Sequence, residues 1–204
     1  MVTWVSWDQD GDGYGVFGWV FSENLKLVGS RRDDTLTGAN GDDRLFGAGG
    51  NDTLRGRGGD DRLYGGKDND KLVGGSGSDK LIGGSGRDTL SGGNGSDVLK
   101  GNAGRDSLNG GAGRDVLVGG NGKDTLTGGS DSDIFKFNRT AGIDTITDFE
   151  NGLDLIEITN GANRFNHLTI TANGSDAVVT FGNVEITLEN INVADLSAAD
   201  FVFT

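Results

Sequence analysis

Residues Gly74–Lys100 read GGSGSDKLI, GGSGRDTLS, GGNGSDVLK: three copies of one nine-residue unit in direct succession. The same period extends in both directions. Leucine recurs at Leu36, Leu45, Leu54, Leu63, Leu72, Leu81, Leu90, Leu99, Leu108, Leu117 and Leu126, and Phe135 takes the twelfth place. Two residues before each stands an aspartate: Asp34, Asp43, Asp52, Asp61, Asp70, Asp79, Asp88, Asp97, Asp106, Asp115, Asp124 and Asp133. A fixed short period of this kind is the signature of a solenoid, in which each unit buries its apolar face only by stacking on neighbours.

Written G-G-x-G-x-D-x-L-x, the unit has glycine at position one in all twelve copies, from Gly29 to Gly128. Position two is glycine in seven, with Ser30, Ala39, Ala48, Arg57 and Asn102 elsewhere, and position four departs from glycine only at Arg32, Asp68 and Asp131. A glycine-rich hexapeptide can take positive φ and turn tightly. The triplet x-L-x is long enough for only a very short strand, with leucine pointing one way and its polar neighbours the other. Two units then make one turn of a right-handed coil, and the turns stack into two parallel sheets with leucines meeting between them. The expected class is all-β, a right-handed parallel β-roll.

In such a coil each unit lies beside the next but one, so the aspartates form two ladders, one along each edge. With strands about 4.8 Å apart, neighbouring carboxylates repel by about 3 kcal/mol per pair at an effective dielectric of about 20. The coil therefore requires a counterion. Carboxylate and carbonyl oxygens suit a hard divalent cation, and calcium, which accepts six to eight oxygens in a flexible geometry, suits them better than magnesium. Six rungs per ladder leave five gaps, hence room for up to about ten ions.

Composition agrees. Glycine contributes 39 residues and proline none, which excludes collagen. Cysteine is absent, so disulfides and thiolate metal sites are excluded. A net charge of −13 argues against nucleic acid or an anionic membrane as partner and favours cations. No run reaches membrane-spanning length, and the N-terminus lacks the pattern of a cleaved signal peptide.

Units such as GGSGSDKLI, GGSGRDTLS and GGNGKDTLT closely resemble the nonapeptide repeats of RTX (repeats-in-toxin) proteins over residues 29–136. The resemblance implies a calcium-loaded roll, with each ion held between successive turns by position-six aspartates and loop carbonyls. Carried onto this chain, the carbonyl donors are Gly75, Gly77, Gly84, Gly86, Gly93, Gly95, Gly111 and Gly113, and the most complete units surround Asp79, Asp88, Asp97, Asp115 and Asp124. Arg32 sets a fixed positive charge beside the first site, whereas Asp68 and Asp131 either strain their loops or add a ligand.

Residues 133–158, DIFKFNRTAGIDTITDFENGLDLIEI, resemble the segment that caps the repeats in serralysin-type metalloproteases and secreted lipases. Within residues 137–204, DTITDF, LDLIEI, AVVTFG and VEITLENI read as short strands, and ADLSAADFVFT resembles the C-terminal tail read by type I secretion machinery. Residues 1–28 resemble one copy of an aromatic hairpin found in large secreted bacterial proteins, expected to pack on the first coil through Trp4, Phe17 and Trp19. Its Asp8, Asp10, Asp12 and Gly13 imitate the start of an EF-hand loop. Trp19 stands where the bidentate glutamate belongs, so an acidic turn is expected instead.

No catalytic constellation is present: His167 is the one histidine, and neither HExxH nor G-x-S-x-G occurs. The expected function is a non-catalytic calcium-binding module of a secreted, extracellular bacterial protein that folds on calcium after export. The alternative is a calcium-dependent module binding an acidic polysaccharide, of the kind attached to alginate-modifying enzymes.

Overall fold

The computed structural model describes residues 24–204, so the hairpin expected over residues 1–28 and its acidic turn lie largely outside the described residues. The described residues are all-β, with three single-turn 3-10 segments and no α-helix. Successive units alternate between two sheets. One holds Lys26–Val28, Arg44–Ala48, Arg62–Lys67, Lys80–Gly86, Val98–Gly104, Val116–Gly122, Ile134–Asn138, Leu155–Thr159 and Phe201–Phe203, in that order. The other runs Thr35–Thr37, Thr53–Gly58, Lys71–Ser76, Thr89–Asn94, Ser107–Ala112, Thr125–Ser130, Ile143–Ile146 and Val184–Leu188, all parallel. It ends in two antiparallel strands, Asp176–Phe181 and Thr169–Asn173.

The register is the one the period demands. Leu72 pairs with Leu90 and Leu81 with Leu99, each unit stacking on the next but one. The leucines from Leu36 to Leu126 are at most 2 % exposed and form a single core with Phe135, Ile146, Ile156 and Ile186. Thr, Lys and Arg at the flanking positions face outward, as period two requires.

The strands are longer than the expected triplet. Lys80–Gly86 spans seven residues, because the parallel ladder continues through the glycine turn, with Gly84 opposite Asn102 and Gly86 opposite Gly104. The turns stack on one another as regularly as the strands do.

The stacking also continues past residue 136. Gly142 bridges to Gly122, Thr145 pairs with Thr125 and Ile146 with Leu126, so GIDTIT (142–147) lies on GKDTLT (122–127). Leu155 and Ile156 likewise pair with Ile134 and Phe135. Insertions lengthen the spacing between stacked aspartates from 18 residues to 20 and then 21, yet the strand register is kept. All four strands expected in the C-terminal region are present. Phe201–Phe203 then closes one sheet, and the three strands from Thr169 to Leu188 close the other.

Candidate metal centre

Each position-six aspartate immediately precedes a strand and enters it from the turn. Asp43 to Asp133 are at most 3 % exposed. The main-chain carbonyl of each accepts from the strand beside it, as Asp52 does from Lys71. Its N–H has no strand partner and donates to the carboxylate Oδ1 of the aspartate one rung further on. Asp34, Asp52, Asp70, Asp88, Asp106 and Asp124 form one such row, and Asp43, Asp61, Asp79, Asp97, Asp115 and Asp133 the other, at 2.7–2.9 Å. The two ladders expected from the period are therefore present, with every rung pinned by a main-chain donor. Position five carries a shorter outer ladder of its own: Asp42 accepts from the Asp60 N–H, and Asp60 from the Ser78 N–H.

The second carboxylate oxygen differs. Oδ2 of Asp52, Asp61, Asp70, Asp79, Asp88, Asp97, Asp106, Asp115, Asp124, Asp133 and Asp144 is buried without a hydrogen-bond donor. A buried acceptor left unpaired costs about 1–3 kcal/mol, more when charged. Beside it lies a second acceptor. A Cβ built on Gly92 would meet Asp97 Oδ2 and, at 2.6 Å, the Gly110 carbonyl oxygen; one on Gly56 would meet Asp61 Oδ2 and the Gly74 carbonyl at 2.7 Å. Position one is invariant because a side chain there would occupy the space these oxygens share.

Both donors are hard oxygens, and among the described residues no three acidic or histidine side chains converge on a point. A cation here must be held by single carboxylates and main-chain carbonyls, a donor set that fits calcium and disfavours softer metals. The position-one carbonyls of Gly65, Gly74, Gly83, Gly92, Gly110, Gly119 and Gly128 border the same space as the orphaned oxygens. Of the carbonyls expected from sequence, Gly75 O and Gly77 O lie against the backbone of Gly93 and Gly95 in the next turn, and Gly93 O and Gly95 O against Gly111 and Gly113. Gly84 and Gly86 share the positive φ of these loops. Asp68 and Asp131 take it too, at 71° and 77°, and the Asp68 carboxylate accepts the Gly50 N–H.

Burial pushes these acids up. Asp52, Asp61 and Asp133 rise to about 6, and Asp70, Asp79, Asp106, Asp115 and Asp144 to about 7. Asp88, Asp97, Asp124 and Asp154 are raised as well. Desolvation is the largest cause throughout, partly offset by main-chain N–H donors to the carboxylate, and for Asp79 the charges of Asp97 and Asp61 add to it.

Two rungs escaped the sequence reading. Asp124 N–H donates to Asp144 Oδ1 and Asp133 N–H to Asp154 Oδ1, both at 2.9 Å, so each ladder continues one step beyond the repeats. The visible signal was the likeness of GIDTIT to GKDTLT, masked by the two-residue insertion. Asp148 sits where the next position-one glycine would fall and accepts from the N–H groups of Gly128 and Gly129. His167 is exposed, beside a shallow cavity lined by Arg139, Phe181 and Asn183.

Comparison with known proteins places this arrangement. In structure the chain resembles an extracellular lipase from Serratia marcescens, at 21% identity over 91% of this chain and a TM-score of 0.45; it spans 41% of that lipase. It also resembles a subunit of the Azotobacter vinelandii mannuronan C5-epimerase, at 26% identity over 67% of this chain and 78% of that one, with a TM-score of 0.39. No curated protein sequence matches. The family profile of the RTX calcium-binding nonapeptide repeat matches in overlapping segments from residue 26 to residue 135, among them 46–81, 64–99, 82–117 and 100–135. Twelve units in register, stacked aspartate ladders and that match together make this chain a member of the RTX calcium-binding nonapeptide-repeat family.

Proposed function

We propose that calcium occupies the space between the aspartate Oδ2 atoms and the position-one carbonyls, and that its binding drives folding of the roll once the chain is outside the cell. The observation that carries this is the row of buried carboxylate oxygens with no donor, most of them sharing the space at position one with a main-chain carbonyl of the next turn. When bound, calcium supplies the positive charge both acceptors lack. The chain's own residues do the rest: main-chain N–H groups fix Oδ1, and the glycine at position one leaves the space open.

Secretion through a type I system fits the same reading. In the folded chain Phe201–Phe203 is hydrogen-bonded to Leu155–Thr159 and Phe201 is buried, so the tail is readable only before the roll closes. A calcium titration followed by far-UV circular dichroism tests the proposal. The β signal should be weak in chelator and appear cooperatively with calcium, whereas a full signal in chelator, unchanged by millimolar calcium, refutes it.

A second reading, binding of an acidic polysaccharide, is favoured by one specific feature. Exposed Arg87, Arg105 and Lys123 follow the paired rungs Gly86, Gly104 and Gly122, setting three cations in a row along one edge. Gel retardation by a polyuronate in the presence of calcium, abolished in the triple alanine variant, would support it; equal mobility with and without polymer would exclude it.

A further inference from the structure

The aspartate carboxylates fall into two classes that the repeat pattern does not distinguish. In the third to twelfth units the position-two residue has positive φ, from 76° at Asn102 to 126° at Gly75, and the position-six Oδ2 has no donor. In the first two units, Ser30 and Ala39 lack positive φ and their peptides present the N–H instead. Ser30 N–H donates to Asp34 Oδ2 and Ala39 N–H to Asp43 Oδ2, each at 2.6 Å. The same four-residue bond recurs at the far end, where Glu150 N–H donates to Asp154 Oδ2 at 2.9 Å. At these three rungs a main-chain donor already compensates the oxygen left bare elsewhere, and a cation there would meet an N–H dipole of the wrong sign.

Asp144 belongs to the other class although it lies outside the nonapeptides. It is 0 % exposed, its Oδ1 holds the Asp124 N–H, and its Oδ2 has no donor. The turn around it keeps the repeat geometry. Gly142 has φ 103°, and Gly122 N–H donates to the Ala141 carbonyl much as Gly113 N–H donates to that of Ser130.

We propose that the cation-binding carboxylates of this chain run from Asp52 to Asp144, so that Asp144 is a calcium ligand contributed by the C-terminal region. Asp34, Asp43 and Asp154 are metal-free terminations in which a backbone N–H replaces the ion. This rests on calcium occupying the ladder as proposed above. It also revises the expectation that all twelve position-six aspartates bind metal.

The test is the calcium count of the folded full chain by native mass spectrometry, for wild type, Asp144→Asn and Asp34→Asn. Asparagine at 144 keeps an acceptor for the Asp124 N–H while replacing the bare oxygen by an NH2, and it should lose at least one ion. Asp34→Asn should keep the wild-type count. An unchanged count in Asp144→Asn, or a lost ion in Asp34→Asn, overturns the assignment. A wild type that binds no calcium overturns the underlying proposal instead. Anomalous diffraction from wild-type crystals grown in calcium gives a readout independent of how the variants fold. An ion about 2.3–2.6 Å from Asp144 Oδ2 with none at Asp34 or Asp43 is expected, and the reverse refutes it.

Discussion

Removing calcium while lowering the pH is expected to fold this chain rather than unfold it. In the metal-free roll Asp79 is raised from 3.8 to about 7, chiefly by burial, and Asp70, Asp106, Asp115 and Asp144 stand at similar values. A shift of about three units means that ionising one such group costs the folded state about 4 kcal/mol relative to the unfolded chain. Five of them together exceed the roughly 5–15 kcal/mol that holds an ordinary domain together. Because the folded values lie above the unfolded ones, the stabilising contribution is fully present below about pH 4 and is lost as pH rises through 6 to 7. Protein freed of calcium should therefore lack β structure at pH 8 and gain it progressively as pH falls toward 5. Far-UV circular dichroism across that range, without added metal, is the assay. A signal independent of pH, or strongest at alkaline pH, would refute the claim that buried carboxylate charge is what keeps the metal-free chain open. The companion expectation is proton uptake by excess calcium-free protein at pH 6, reversed as protons are released when calcium is added, measurable in a weakly buffered titration.

Gly92→Ala places a methyl group against Asp97 Oδ2 and the Gly110 carbonyl; calorimetry should show loss of calcium from that turn, whereas Ser91→Ala on the outer face should bind normally. Leu99→Ala opens a cavity in a fully buried stack and should cost about 2–5 kcal/mol in denaturant melts of the calcium-loaded protein. Arg57 holds φ 89°, so Arg57→Gly should relieve about 1 kcal/mol of backbone strain and raise the melting temperature in calcium.

The roll was legible because its contacts are periodic. Once Leu72 stacks on Leu90, every other leucine follows, and so does the row of aspartates two residues before them. Reading the turns as short breaks between triplet strands underestimated them, since φ values near 120° at Gly75 and Gly84 let the sheet ladder run on through the glycines. The further rungs at Asp144 and Asp154 were hidden by insertions that shift the sequence period while the strand register is kept.

Ala39 and Ala48 mark the boundary between the two kinds of information. Both are alanines at position two of neighbouring units. Ala39 directs its N–H at Asp43, whereas Ala48 has φ 84° and leaves Asp52 Oδ2 bare. The sequence by itself determined the fold class, the register, the buried leucines and the two rows of carboxylates, because a strict nine-residue period leaves one way to stack. Only the tertiary structure decided which carboxylates keep an oxygen without a hydrogen-bond donor, because the orientation of a peptide depends on the turns stacked above and below it and not on the residue it joins.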